Sequence, residues 1–321
     1  MTPTPPLPTW RDVAAAAHRI APFIHRTPVL TSTWFDQVSG AELYFKCENF
    51  QRVGAFKFRG ACNAVMALAK RDGARGIVTH SSGNHGQAVA LAARINGYRA
   101  TIVAPANAAR IKLEAMRDYG AEVMLCEPTT PAREAAVQQL VRERGAVFIP
   151  PYNHPDVIAG QGTAAVELLE AHPDLDLILA PVGGGGLLSG TAIAARHLRP
   201  DIRVIGVEPA HADDAARSFR SGRIEPVAST HTVADGLRTS LGPLTFAVIQ
   251  AHVDDIVTVA EASIVRDMRA VWERMKIVIE PSCAVPLAAL LDGRIAAAGQ
   301  RVGIILTGGN VDLDDLPWSH H

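Results

Sequence analysis

AFKFRGA, Ala55 to Ala61, sets a lysine between Phe56 and Phe58 directly ahead of a helix-prone run, GACNAVMALAK. Aromatic carbon on both sides disfavours the ammonium form and leaves Lys57 an amine able to attack a carbonyl, as a Schiff-base lysine must. A lysine at a helix start is ordinarily a solvated or snorkelling side chain. The chemical reading therefore needs a phosphate site, a carboxylate site and a ring-nitrogen partner elsewhere in the chain.

Upstream of this stretch, Thr9 is positioned to cap a helix WRDVAAAAHRI, and AELYFKCEN alternates as a strand that delivers the chain to Lys57. Downstream, short β-branched runs alternate with helical runs bounded by glycine or proline: GIVTH then NHGQAVALAARING, RATIVAP then ARIKLEAMRDYG, AEVMLCE then PAREAAVQQLVRERG, closed by AVFIP. A second series follows Pro150 and Pro151, with DVIAGQGTAAVELLEAH, LDLILAPV, LLSGTAIAARHL, DIRVIGVE, VDDIVTV, EASIVRDMRAVWERM, SCAVPLAALL and RVGIILT. Such alternation predicts an α/β fold of parallel strands with helices on both faces. It is too much for one ordinary sheet, so a smaller domain at residues 70–153 is expected to be inserted into a larger one made of 1–69 and 154–321. Ligands of open α/β sheets bind where the strands end, here in the cleft between the two.

With 48% hydrophobic residues and a formal net charge of -1, the chain has no basic surface for nucleic acid or an anionic membrane. A small-molecule partner is expected. MTPTPPLPTW carries neither a basic nor an apolar leader segment and no apolar run is long enough to span a bilayer, so a cytoplasmic location is expected. Cys47, Cys62, Cys126 and Cys283 lack CxxC spacing and read as buried thiols. Ser319, His320 and His321 read as a tag remnant.

Three segments supply the missing parts. Gly183 to Gly186, in ILAPVGGGGLLSG, lie between an apolar strand and a helix, where backbone N–H groups and the helix dipole suit a phosphate. A linker does not usually occupy a βα junction. A dinucleotide site with Glu208 as the ribose acid lacks GxGxxG spacing and leaves Lys57 without a role. HSSGNHG, His80 to Gly86, offers Ser81, Ser82 and Asn84 at a helix N-terminus, a fit for a substrate carboxylate, with Asn84 in reach of a ring hydroxyl; a capped Ser/Asn turn is the plain alternative. Thr307, in ILTGGN, is a neutral hydroxyl suited to a pyridine nitrogen, a weak electron sink that favours expulsion of a β-substituent.

Taken in order, AFKFRGA, SSGNHGQA, VIAGQGT, PVGGGGLLSG, VEPAHADDA, TVADGL, VWERM, IEPSCAV and TGGNVDL closely resemble the serine racemase and serine/threonine dehydratase family of fold type II pyridoxal phosphate (PLP) enzymes, from about residue 25 to residue 315. The resemblance implies a tryptophan synthase β-like architecture of two open twisted α/β domains with the cofactor in the cleft. It implies that Lys57 carries the cofactor as a Schiff base, that Gly183, Gly184, Gly185 and Gly186 cradle its phosphate, and that Phe56 packs on its ring. Asn84 would contact the ring hydroxyl and Thr307 the ring nitrogen. Ser81, Ser82, Asn84 and His85 would lie around the substrate, Ser82 matching the serine that exchanges a proton on the face opposite the lysine. Glu208 and Asp214, with the Ala212 carbonyl, match the family's divalent-cation site, for which Mg2+ is expected with Ca2+ and Mn2+ as alternatives. His211 reads as a surface histidine. A homodimer is expected.

The reaction this implies is β-elimination from a small 3-hydroxy amino acid, with Lys57 removing the α-proton and a 2-oxo acid and ammonia released. L-Threonine or L-serine leads, and 3-hydroxyaspartate is the alternative. Serine racemisation, phenylserine dehydration and, in other classes, a nucleotide-binding dehydrogenase or a silent sensor follow. Pocket candidates by correspondence are Tyr119, Arg133, Tyr152, Asn153 and Ser240. Tyr152 stands where the racemases carry asparagine, which argues against racemisation. Arg133 would hold a second carboxylate; its plain alternative is a helix-surface arginine paired with an acid. The run from EPSCAVPLA to VDLDDLPW also resembles hydroxyaspartate dehydratases, and the regulatory domain of biosynthetic threonine deaminases is expected to be absent.

Overall fold

The computed structural model describes residues 6–68, 72 and 75–319. The apolar runs become strands of two sheets. The larger takes β1 (Val29–Leu30), β2 (Glu42–Cys47), β7 (Leu177–Pro181), β8 (Arg203–Pro209), β9 (Asp255–Val259) and β10 (Arg301–Leu306), in the order β1-β2-β10-β7-β8-β9. All its neighbouring pairs are parallel except β1 on β2. The smaller, β5-β4-β3-β6, is parallel throughout and uses β3 (Ile77–His80), β4 (Ala100–Pro105), β5 (Glu122–Cys126) and β6 (Val147–Phe148). Central strands β4 and β7 are buried along their whole length, as parallel strands covered by helices on both faces must be. The sequence position expected to divide the domains, between 69 and 70, lies outside the described residues, as do His320 and His321.

Helix boundaries follow local chemistry. Trp10–Ile20 starts at a capping box, with Asp12 Oδ2 accepting from both the Thr9 N–H (2.7 Å) and the Thr9 hydroxyl (2.8 Å). Three helices escape the sequence pattern: Thr33–Ser39, Asp214–Ser221 and Pro243–His252. The first two are about two turns long, too short for a helical period to declare itself, and the third opens on a proline that reads equally as a turn.

The helix Lys57–Ala67 ties the parts together. One side shares an apolar cluster with the helix Asn84–Ile95 and with β3 and β4, through Phe58, Ala61, Val65, Ala88 and Ile102. The other lies against the helix Pro155–Ala171, so close that a Cβ on Gly160 would sit 2.6 Å from the Arg59 carbonyl. There Arg59, fully buried, pairs with Glu48 (2.7 Å) and Glu167 (2.8 Å), and Lys46 with Glu167 (2.6 Å). Two cations and two anions balance in a region closed to water. This fixes the helix that begins with Lys57.

One expectation fails. Cys47, Cys62 and Cys283 are buried, but Cys126 is partly exposed, because it ends β5 at the edge of the smaller sheet.

Candidate active site

The carboxyl ends of strands from both sheets open onto one cavity of about 560 Å3. The chain leaving β7 forms Gly183 to Gly186, that leaving β10 supplies Thr307, that leaving β3 supplies Ser81 to His85, and that leaving β6 supplies Pro150 to Asn153. Lys57 faces this cavity from the first position of its helix. Its Nζ donates to the Pro151 carbonyl (2.9 Å) and stands 5.1 Å from the centre of the Phe56 ring. Burial lowers its pKa to about 8, against a smaller upward pull from Glu280, so a usable fraction is neutral amine near neutral pH.

Gly185 adopts φ +86° and caps the helix Gly186–Leu198 without a side-chain hydrogen bond, which leaves backbone donors for an anion. A Cβ on Gly184 would run into the Tyr152 ring. Opposite, the Asn84 amide is held from two sides: its Nδ2 donates to both Glu280 oxygens (2.9 and 3.0 Å), and its Oδ1 accepts from Asn310 Nδ2 (2.9 Å). Ser82 is exposed, whereas Thr307 is buried with its hydroxyl 3.4 Å from Cys283 Sγ. His85 Nε2 contacts the Ile149 carbonyl (3.1 Å); burial and then the charge of Lys57 lower its pKa to about 3, so it is neutral.

Arg133, Tyr152, Asn153 and Ser240 line the same cavity. Arg133 donates to Thr130 Oγ1 (3.0 Å), its buried Nε lacks a hydrogen-bond partner, and no acid pairs with it among the described residues. It is therefore not the paired helix-surface arginine of the plain alternative. Tyr119 is not in the cavity: it follows the helix Arg110–Asp118 about two turns beyond Lys112, the residue of that helix that reaches the cleft, and it packs against an apolar cluster with the Arg94 guanidinium 5.7 Å from its ring centre.

Three acidic or basic groups at the cavity wall were not foreseen. Glu280 is buried, and burial together with the charge of Asp235 raises its pKa to about 7. Lys112 spans the cleft to Asp235 (2.5 Å); burial works against its charge, but Asp235 outweighs it and the pKa rises. Glu280 lay within the quoted IEPSCAV, where a carboxylate before a proline reads as a helix cap. A pair separated by over a hundred residues leaves no local signal.

Away from the cavity, Glu208 and Asp214 are fully buried side by side. Glu208 accepts from Ala215 and Ala216 N–H (3.0 and 2.9 Å), while neither oxygen of Asp214 makes a well-formed hydrogen bond. Burial lifts Asp214 to about 7 and, with the charge of Asp214, pushes Glu208 well up. Ala212 is buried beside them, and His211 is largely exposed as expected.

The profile described as "Pyridoxal-phosphate dependent enzyme" matches residues 20–308. The chain belongs to this family. Among curated relatives, the β-hydroxyaspartate dehydratase of Paracoccus denitrificans is 49% identical over 98% of this chain and 99% of its own, and the L-threo-3-hydroxyaspartate ammonia-lyase of Saccharomyces cerevisiae 49% identical over 96% and 94%. The crystal structure of serine racemase from Dictyostelium discoideum superposes with a TM-score of 0.91 at 48% identity, covering 95% of this chain and 99% of that one. The fold is accordingly fold type II, as the sequence predicts, and the enzyme is of the PLP-dependent lyase class. The cavity fits the family's cofactor: a glycine cradle whose side-chain space is already filled, open backbone donors at a helix N-terminus, and a lysine of lowered pKa facing them.

Proposed function

We propose that this enzyme removes water from 3-hydroxyaspartate, giving a 2-oxo diacid and ammonia. The observation that carries the reading is Arg133, a cation directed at the cavity of Lys57 without an acid partner among the described residues and with an unsatisfied Nε. A second substrate carboxylate would complete it, and planar guanidinium is suited to bind one in two places. The two hydroxyaspartate lyases among the relatives support the same choice. L-Threonine and L-serine, which lead in the sequence reading, have no group for Arg133.

Pyridoxal phosphate, when bound, supplies the conjugated ring that spreads negative charge from the α-carbon. Gly183 to Gly186 would hold its phosphate, Phe56 its ring face, Asn84 its ring hydroxyl and Thr307 its ring nitrogen. Ser81 and Asn84, at the start of the helix Asn84–Ile95, would receive the α-carboxylate at the positive end of the dipole. Lys57 takes the α-proton, and its lowered pKa makes it a base near neutral pH. Ser82 would exchange a proton on the face opposite Lys57, the role that its match to the racemase serine implies. In sum the α-proton and the β-hydroxyl leave as one water; the enamine left behind tautomerises to an imine, which takes up a water to give the oxo acid and ammonia.

Glu208, Asp214 and the Ala212 carbonyl are assigned to a divalent cation, Mg2+ first, on the strength of two adjacent buried carboxylates, of which Asp214 has neither oxygen in a well-formed hydrogen bond. Residues 70–153 are assigned to the substrate-side domain and the assembly to a homodimer.

The test is a substrate panel: oxo-acid release from 3-hydroxyaspartate, threonine and serine by wild type and Arg133→Ala. The diacid should be preferred, and the variant should lose about 100-fold in kcat/KM on the diacid alone, the worth of a charged hydrogen-bonded contact of about 3 kcal/mol. Equal losses on all three substrates, or none, exclude the second-carboxylate role.

A further inference from the structure

The face of Thr307 away from the cavity meets a thiol. Cys283, fully buried in the first turn of the helix Pro281–Leu291, accepts the Gly308 N–H (3.0 Å) and donates to the Gly308 carbonyl (2.9 Å); the Thr307 hydroxyl lies 3.4 Å from its sulfur. The same short segment is pinned from the other side. The Thr307 carbonyl accepts the Phe56 N–H (2.9 Å), and Gly308 bridges Ala55. Thr307 is thus locked to the residues immediately before Lys57, and the freedom left to its hydroxyl is the direction of its proton.

Burial, and then the charge of Glu280, keep the thiol protonated. Its one proton is engaged on the Gly308 carbonyl, so the sulfur can meet Thr307 only as an acceptor. The hydroxyl then has two arrangements. It donates to a neutral ring nitrogen, or it turns its proton back onto sulfur and accepts from a protonated ring nitrogen.

We propose that Cys283 is a positioning residue that sets the balance between these two arrangements, and so the strength of the electron sink, by offering the Thr307 proton a weak acceptor. Sulfur accepts hydrogen bonds poorly compared with oxygen. A thiol here favours the neutral ring nitrogen while leaving the protonated form a place for the Thr307 proton; an oxygen would favour the protonated form more, and a methyl group less. The inference rests on the Thr307 assignment made above.

The experiment uses holoenzyme loaded with pyridoxal phosphate labelled with 15N in the ring and reads the ring-nitrogen resonance, which reports protonation directly. Cys283→Ser keeps the Gly308 hydrogen bonds within reach and should move the resonance toward the protonated value relative to wild type, whereas Cys283→Ala should not. In a Thr307→Val background the Cys283→Ser change should have no effect. Near-ultraviolet circular dichroism identifies folded variants, and Cys283→Ser suffices if Cys283→Ala does not fold. A Cys283→Ser resonance coincident with wild type, while Thr307→Val alone shifts it, overturns the inference and leaves the Thr307 assignment standing. A resonance indifferent to Thr307→Val removes both.

Discussion

Replacing Lys57 by methionine in the cofactor-free protein isolates what burial does to the amine. The side chain stays unbranched and apolar along its stem and loses its terminal amine, and with it the charge and the 2.9 Å bond to the Pro151 carbonyl. The unfolded lysine holds its proton up to about 10.5 and the folded one only to about 8, so between these values the unfolded chain binds more protons. Stability of the wild-type protein must therefore rise with pH across that window. Below it, both states are protonated and the folded state carries the full penalty; above it, both are neutral and the penalty is gone. At 1.36 kcal/mol per unit, the difference amounts to about 3 kcal/mol. Glu280, titrating near 7, is mostly ionised by the start of the window, and its remaining titration, like the others, is largely shared by the two proteins. Urea unfolding of both apoproteins at about pH 7.5 and about pH 10.5 is the assay. Relative to Lys57→Met, wild type should gain about 3 kcal/mol on going up. The lost Pro151 bond shifts the difference between the proteins but not the direction of its slope with pH. A difference that stays constant, or falls with rising pH, refutes a lysine of lowered pKa.

Three further outcomes follow from the same geometry. Arg59→Met leaves Glu48 and Glu167 buried without their guanidinium and should destabilise the protein by about 3–5 kcal/mol in chemical denaturation, far more than an exposed arginine would. Gly184→Ala sets a methyl group against the Tyr152 ring and should raise the dissociation constant for pyridoxal phosphate by at least tenfold in fluorescence titration, with the apoprotein still folded. Chelation should lower the melting temperature and Mg2+ should restore it, and Asp214→Asn should abolish that response; a wild type indifferent to both treatments excludes the cation site.

The parallel sheets were legible in the sequence because buried strands and their crossover helices write long, regular patterns, and the glycine run declares itself by sitting between β7 and its helix. Resemblance, more than local pattern, pointed to Thr307, which is one hydroxyl in a turn until Cys283 and Phe56 are seen to hold it. Tyr119 was misplaced because correspondence along a chain does not say how far along the helix Arg110–Asp118 the cleft reaches: Lys112 lines it, and Tyr119, about two turns on, does not. Glu280 and the Lys112–Asp235 pair stayed hidden for a related reason. Their environments are assembled from segments far apart, and the burial that lifts Glu280 to about 7 exists only once the sheets have met.

Attachment of the cofactor to one amine underlies every step assigned to the cavity. Borohydride reduction of the holoenzyme, digestion and peptide mass spectrometry should recover a pyridoxyl adduct on Lys57 and on no other lysine. An adduct on a different side chain, or none, contradicts it.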